Sequence, residues 1–254
     1  MACTIEKIRA STAECLEPFS EIMDGVSYED KGVLFSEVFF IYAALQDNPP
    51  KRIIESGRAR GQSTLCLSLC FPDAEIVSLE FDPDTPDVPV AAERLSDRPN
   101  VRLEFGDARE KVLQWVEADD VIMIDGPKDF PAVQLAFELL QTGKPEMAFI
   151  HDCHQASRIR NFLESKYPAC FFSDDEAFVE LTRHLDDQCW DDMESMDDQI
   201  WRPGKFCDTD SKSYGPTFAC LPYCPDFNYK SILKQAAVTK FTSRVVRSVK
   251  KRLG

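Results

Sequence analysis

The feature that most constrains the fold is an alternation of buried-strand and helical patterns over residues 52–152. Short apolar segments such as Val121–Ile124 are typical of strands that are covered on both faces. Strands that alternate with helices at this spacing favour a parallel sheet with helices on either side. We therefore predict an α/β fold with a doubly wound, mostly parallel, Rossmann-like sheet.

The same patterns predict where the elements begin and end. An apolar helix over 32–45 ends before Asn48-Pro49-Pro50, which stops it. Further helices are predicted over 61–71, 88–96, 108–117, 130–142 and 155–166. Strands are predicted over 52–56, 75–80, 101–105, 119–124, 147–151, 169–172 and 217–221.

The length of 254 residues suits one domain with additions. We predict an N-terminal helical extension over 1–49, an α/β domain over 50–228 and a basic amphipathic tail over 229–254. The α/β domain contains an acidic insert over 174–198, in which eleven acids accompany the single base Arg183. We interpret it as a solvated insert or lid, since no loop with EF-hand spacing indicates calcium.

Charge is distributed unevenly along the chain. The formal net charge is -15, yet residues 230–254 contain eight Lys/Arg and no acid. An acidic body argues against general nucleic-acid binding, which needs cationic surface. The tail has an apolar helical stripe, and its candidate docking sites are the acidic insert, a protein partner and an anionic membrane. The sequence is also compatible with a homo-oligomer. The stripe consists of Val238, Phe241, Val245, Val249 and Leu253.

The ten cysteines lack CxxC spacing, and no apolar signal segment opens the sequence. These features predict a cytoplasmic protein with reduced thiols, and no window approaches the ~20 apolar residues of a membrane span. Cys66 and Cys70 are predicted as small core residues. A zinc site is disfavoured because the usual ligand spacings are missing; its candidate ligands would be Cys189, Cys207, Cys220 and Cys224.

A glycine-containing turn follows the first strand, and a helix begins near Gly61. Such a turn directs backbone N–H groups and a helix N-terminus toward a bound ligand. The next strand ends in Glu80, a carboxylate placed to bind a ribose diol. This order indicates a nucleoside cofactor.

Five motifs in order resemble those of class I S-adenosylmethionine-dependent methyltransferases. The segment 55–61 resembles their acid-x-Gly-x-Gly-x-Gly motif, and Glu80 falls where their second strand ends in the ribose-binding acid. Residues 106–108 fall where they read the adenine. Segments 122–126 and 149–152 resemble strand ends of small-molecule O-methyltransferases of the sugar and catechol types. The resemblance covers about 50–155. It implies S-adenosylmethionine bound by Glu55, Gly57, Ala59, Gly61, Ser63, Glu80, Asp107 and Asp125.

The sequence departs from this family at several positions. Ala59 replaces the middle glycine; the added methyl is tolerable if φ is negative there, but it narrows the approach to the cofactor. Arg58 and Arg60 are expected to point to solvent, with contact to an anionic substrate as the alternative. Lys128 stands where the sugar-methylating branch has a histidine that resembles a general base. A lysine can serve as base only if burial or a nearby cation depresses its pKa.

Two acids close adjacent predicted strands at the edge where ligands bind. Asp125 and Asp152 would suit Mg²⁺, which prefers oxygen ligands and lowers the pKa of a bound hydroxyl. His151 is the candidate third ligand, and His154 is a candidate ligand or base. The alternative is that both acids cap following helices and turns. His184, in the acidic insert, is expected on the surface.

The sequence thus predicts methyl transfer from S-adenosylmethionine to an oxygen of a small molecule such as a sugar or diol, with Mg²⁺ assistance. The candidate catalytic residues are Asp125, Lys128 and His154. One alternative is a non-catalytic protein that keeps the fold for binding or assembly. A nicotinamide oxidoreductase is less favoured, because Gly-x-Gly-x-x-Gly would need glycine where Ala59 and Gln62 stand.

Overall fold

A computed structural model of the protein describes residues 3–29, 31–155, 157–194 and 217–239. Its seven-stranded sheet has the order β3-β2-β1-β4-β5-β7-β6. The first five strands pair in parallel, whereas β7 is antiparallel to both β5 and β6. The predicted α/β class is therefore confirmed. The strands are β1 Arg52–Ser56, β2 Glu75–Glu80, β3 Val101–Phe105, β4 Val121–Ile124, β5 Met147–Ile150, β6 Phe171–Phe172 and β7 Ala219–Pro222.

Helices cover both faces of the sheet, and each face has its own apolar core. Successive residues of one strand enter different cores, as Ile53 and Ile54 of β1 do, because side chains alternate across a strand. The helices are α1 Ile5–Met23, α2 Phe35–Leu45, α3 Gln62–Cys70, α4 Asp87–Arg94, α5 Ala108–Trp115, α6 Phe130–Gln141, α7 Arg158–Lys166, α8 Glu176–Thr182, a 3₁₀ helix Arg183–Asp186, α9 Asp187–Glu194 and α10 over 229–239.

Three predicted boundaries are corrected near the C-terminal side of the sheet. Strand β6 is limited to two residues because only these pair with β7. Strand β7 is shifted from the predicted 217–221 to Ala219–Pro222, where it pairs with β5. Helix α7 begins at Arg158 rather than near 155, since the Ser157 side chain caps its N-terminus.

The acidic insert contacts the N-terminal helices over its described part, so its interpretation as solvated holds for exposed acids such as Glu180 and Asp187 but not for Asp186. Asp186 is fully buried and accepts hydrogen bonds from the N–H and hydroxyl of Ser36, at 2.7 and 2.6 Å. Asp175 pairs with Arg9 on α1. These acids satisfy a helix N-terminus and a cation, which a count of acids cannot reveal.

Part of the tail belongs to the body of the protein. Tyr229, Ile232 and Ala236 of α10 are buried in the second core, whereas Val238 is exposed. The other four residues of the predicted stripe lie outside the described residues, so the docking of the tail stays a prediction. Among the described helices, none is long and apolar enough to cross a membrane.

Candidate functional site

The turn between β1 and α3 is built from left-handed backbone. The φ angles of Gly57, Ala59 and Gly61 are +89°, +44° and +81°. The condition of a negative φ at Ala59 is not met, and the added methyl is accommodated in a conformation that L-residues rarely adopt. Gly57 N donates to Leu79 O at 2.9 Å, which fixes the turn against β2.

Glu55 lies beneath this turn and organises it. Its buried carboxylate accepts hydrogen bonds from the hydroxyls of Ser63 and Thr64 on α3 and, at 2.5 Å, from Ser78 on β2. Burial raises the pKa of Glu55, and the three hydroxyl donors oppose that rise. Glu55 and Ser63 thus hold the turn in place, and their predicted contact with the cofactor stays a prediction.

A cleft opens at the carboxyl ends of β1, β2 and β3. Glu80 lines it, and its carboxylate accepts from Ala59 N at 2.9 Å and Phe81 N at 2.7 Å. The Phe81 ring also lines the cleft and is 69 % exposed. Asp107 lies in the cleft wall. Its side chain also caps the N-terminus of α5 and forms an ion pair with Arg109. The cleft therefore combines a carboxylate that two backbone N–H groups orient with an exposed aromatic residue.

The expectation that Arg58 and Arg60 point to solvent is wrong. Arg58 is only 2 % exposed; it donates to Ser78 O at 2.7 Å and its guanidinium lies 4.9 Å from the centre of the Phe105 ring. A planar guanidinium can satisfy strand-end carbonyls while stacking on a ring. Arg60 is half-buried and pairs with Glu29 and Asp87.

A second cluster lies where β4 and β5 end. Because these strands pair in parallel, Asp125 comes beside His151 and Asp152. Asp125 Oδ1 lies 2.6 Å from His151 Nδ1 and also contacts the Lys128 ammonium, which is 2.7 Å from Asp152 Oδ2. One potential ligand atom from each of Asp125, His151 and Asp152 lies within 4.8 Å of the other two. The predicted meeting of these residues is confirmed.

The helix-capping alternative for the two acids is wrong for the helices that follow them. The N-cap of α6 is Asp129, and the N-cap of α7 is Ser157. Asp125 and Asp152 instead contact Lys128 and His151. Both acids are therefore free of a capping role at these helices and belong to the cluster.

Glu37 on α2 also belongs to the cluster, although it was not predicted from the sequence. Its Oε1 lies 3.1 Å from His151 Nε2, and its Oε2 accepts from Leu34 N at 3.0 Å. Both ring nitrogens of His151 thus face a carboxylate. A signal was present, since Glu37 is the only charged residue in the apolar segment 33–45 and a buried charge requires a partner.

The cluster favours the charged forms of Asp125, Lys128 and His151, whereas burial raises the pKa of Glu37 despite its contact with His151. Burial disfavours a charged imidazole, but Asp125 and Glu37 outweigh it and raise the pKa of His151 well above its usual value. Burial likewise opposes ionisation of Asp125, yet His151 and Lys128 hold the pKa of that carboxyl well below its usual range. Burial would lower the pKa of Lys128, but Asp125 and Asp152 raise it. The depressed pKa that Lys128 needs as a base is absent in this arrangement.

The two remaining histidines occupy different environments. His154 is half-buried two residues beyond Asp152, and its carbonyl accepts from Ser157 N at 2.8 Å. Its role as ligand or base stays a prediction. His184 is exposed, as expected.

Most of the cysteines in the described ranges are core residues. Cys66, Cys70, Cys189 and Cys220 are all buried, which confirms the prediction for Cys66 and Cys70. Within the described ranges, the one group able to hold a metal ion is the Asp125, His151 and Asp152 set. Cys207 lies outside those ranges.

Comparison with known proteins gives only distant similarity. No family profile and no curated protein matches the chain. The O-methyltransferase TomG of Streptomyces achromogenes, solved with S-adenosylmethionine, is 16 % identical over 87 % of this chain and 97 % of its own, with a TM-score of 0.45. An S-adenosylhomocysteine-bound methyltransferase of Podospora anserina is 16 % identical over 85 % and 94 %, with a TM-score of 0.43. Similarity at this level does not establish a function.

Proposed function

We propose that the protein transfers a methyl group from S-adenosylmethionine to an oxygen of a small molecule, with a sugar or other diol as the substrate class. The observation that carries this proposal is one sheet edge that joins two sites. The glycine turn and Glu80 form a nucleoside-type cleft, and Gly57 packs against Gly126 beside the Asp125 cluster. A donor in the cleft would therefore lie close to a substrate at the cluster, and methyl transfer depends mainly on such alignment.

The chemistry of the cleft supports a nucleoside cofactor. Each oxygen of the Glu80 carboxylate already accepts one backbone N–H, which fixes its orientation. A carboxylate oxygen has more than one acceptor site, so Glu80 can still accept from two ribose hydroxyls. The exposed Phe81 ring offers an apolar face to an adenine, since aromatic rings stack on planar bases.

The donor set of the second cluster suits a divalent cation. Asp125 and Asp152 offer carboxylate oxygens, and an ammonium group already lies between them, so the position accepts positive charge. These two acids would hold Mg²⁺, which would lower the pKa of a substrate hydroxyl. His151 faces carboxylates through both nitrogens, so we favour it as a donor that orients Asp125 over the predicted role of third ligand. His154 remains the candidate proton acceptor.

Glu80→Ala tests the cofactor site. We expect S-adenosylmethionine affinity to fall by about 2–3 kcal/mol, because two hydrogen bonds to a charged acceptor are lost. Isothermal titration calorimetry measures the change. Glu75→Ala is the matched control, since Glu75 is exposed at the opposite end of the same strand. Equal affinities for wild type and Glu80→Ala would place the cofactor elsewhere.

A transfer assay separates the proposed activity from its alternatives. The purified protein is incubated with methyl-labelled S-adenosylmethionine, Mg²⁺ and a panel of catechols and sugars with vicinal hydroxyls. Label in an organic product supports the proposal. Cofactor binding without transfer to any member would favour a binding or assembly protein, and binding of NADH in place of S-adenosylmethionine would favour an oxidoreductase.

A further inference from the structure

The ammonium of Lys128 occupies the centre of the candidate cation position. It contacts Asp125 Oδ1 on one side and lies 2.7 Å from Asp152 Oδ2 on the other. The two carboxylates belong to the ends of adjacent strands, β4 and β5, so rigid backbone sets their separation. Lys128 itself follows Asp125 by three residues and reaches back over the loop.

A lysine and a divalent cation cannot share this position. Mg²⁺ needs oxygen ligands at about 2.1 Å in near-octahedral geometry, whereas the ammonium of Lys128 already stands within hydrogen-bond distance of the same oxygens. Two positive charges a few ångströms apart would also repel each other. Metal binding at Asp125 and Asp152 therefore requires the ammonium to leave.

The side chain is able to leave. Lys128 is 53 % exposed, and its flexible four-carbon stem allows the ammonium to move into water. The Asp125 carboxylate stays in place without the ammonium, because it is also held by His151 at 2.6 Å. Displacement thus changes one exposed side chain and leaves the strand ends unaltered.

We propose that Lys128 is a built-in competitor for the divalent-cation position, so that metal occupancy at Asp125 and Asp152 is set by exchange with its ammonium. The inference rests on the metal site of the proposed function. It predicts weak binding of oxygen-seeking divalent cations by the native protein and much tighter binding once the ammonium is removed.

The test is metal binding by the full chain. Mn²⁺ is titrated into wild type, Lys128→Met and Lys51→Met, and free Mn²⁺ is followed by electron paramagnetic resonance. We expect Lys128→Met to bind Mn²⁺ about 10- to 100-fold more tightly than wild type, since it no longer breaks charged hydrogen bonds on binding. Lys51→Met removes the same charge from an exposed residue before β1, at the opposite edge of the sheet, and should change affinity less than about twofold.

Two further variants locate the effect. Lys128→Arg keeps the positive charge and should remain near wild-type affinity. Adding Asp125→Asn to Lys128→Met should abolish the gain. Circular dichroism checks that each variant is folded. The proposal would be contradicted if folded Lys128→Met bound Mn²⁺ no more tightly than wild type. It would also be contradicted if neither wild type nor Lys128→Met bound Mn²⁺.

The test of Lys128 can be distinguished from the test of the proposed function. S-adenosylmethionine affinity is measured by calorimetry on the same samples without metal, and it judges the cofactor site alone. A protein that fails to bind the cofactor would refute methyl transfer, while the Mn²⁺ titrations would still decide the role of Lys128.

Discussion

Gly57→Ala is expected to lower the free energy of unfolding by about 2–4 kcal/mol and to abolish measurable S-adenosylmethionine binding. A Cβ at this position would lie 2.5 Å from Gly126 N and 2.8 Å from the Asp125 carbonyl carbon. These are backbone atoms, so the turn or the end of β4 must shift. The φ of +89° adds strain for any L-residue, and overpacking and backbone strain each cost about 1–3 kcal/mol.

The measurement is urea denaturation combined with calorimetry of cofactor binding. Gly25→Ala is the matched control, because Gly25 has a φ of +74° but nothing within 4 Å of an added Cβ. It should cost only the backbone strain, about 1–2 kcal/mol. If both variants lose the same stability, close approach of Gly57 to β4 contributes nothing.

Asp125→Asn is expected to lower the free energy of unfolding by about 3 kcal/mol near pH 6. Asp125 is the nearer of the two carboxylates that face the buried His151, at 2.6 Å against 3.1 Å for Glu37. Removing one partner of a buried ion pair typically costs about 3–5 kcal/mol, and Glu37, which still faces His151, places the expected loss at the lower end of that range. We expect methyl transfer to be lost as well, while S-adenosylmethionine binding is largely retained.

The pH dependence of this loss has a definite sign. The pKa of His151 is raised in the folded protein, so its pairing contributes fully below the unfolded value of about 6.5 and is lost as pH rises through the folded value. The difference between wild type and Asp125→Asn should therefore narrow as pH increases above 7. The pKa of Asp125 is lowered, so its own contribution is lost only as pH falls below about 4.

Urea denaturation from pH 6 to pH 10 measures this difference. Asp152→Asn is the control, since Asp152 Oδ1 is 3.7 Å from His151 Nδ1 and the side chain is partly exposed. It should cost less than about 1 kcal/mol. A loss for Asp125→Asn that stays constant to pH 10 would show that the imidazolium is not the group left unpaired.

Residues at strand ends were predictable because topology alone brings them together. Parallel strands place their carboxyl ends at one edge of a sheet, so Glu80, Asp125 and Asp152 could be located from the order of strands and turns. Gly57 and Gly61 followed from the need for left-handed backbone in a tight turn. These inferences are local in sequence, and the structure confirms the positions.

Contacts between distant segments could not be predicted in this way. Glu37 meets His151 across 114 residues, and Asp186 meets Ser36 across 150. Only the packing of α2 between the sheet and the insert brings these pairs together. The burial of Arg58 could not be predicted for a related reason. It depends on the Phe105 ring, which lies outside the turn that contains Arg58.

The position of β7 has a consequence for synthesis on the ribosome. It is the last strand of the described chain, yet it lies between β5 and β6. The emerging chain can assemble β1 to β5, with the cofactor turn and the Asp125 cluster, while one edge of β5 still lacks its partner. An unpaired edge is a template for association with other chains. Chains that terminate before Ala219 would thus contain the residues of the cofactor turn and the Asp125 cluster and yet be prone to aggregate.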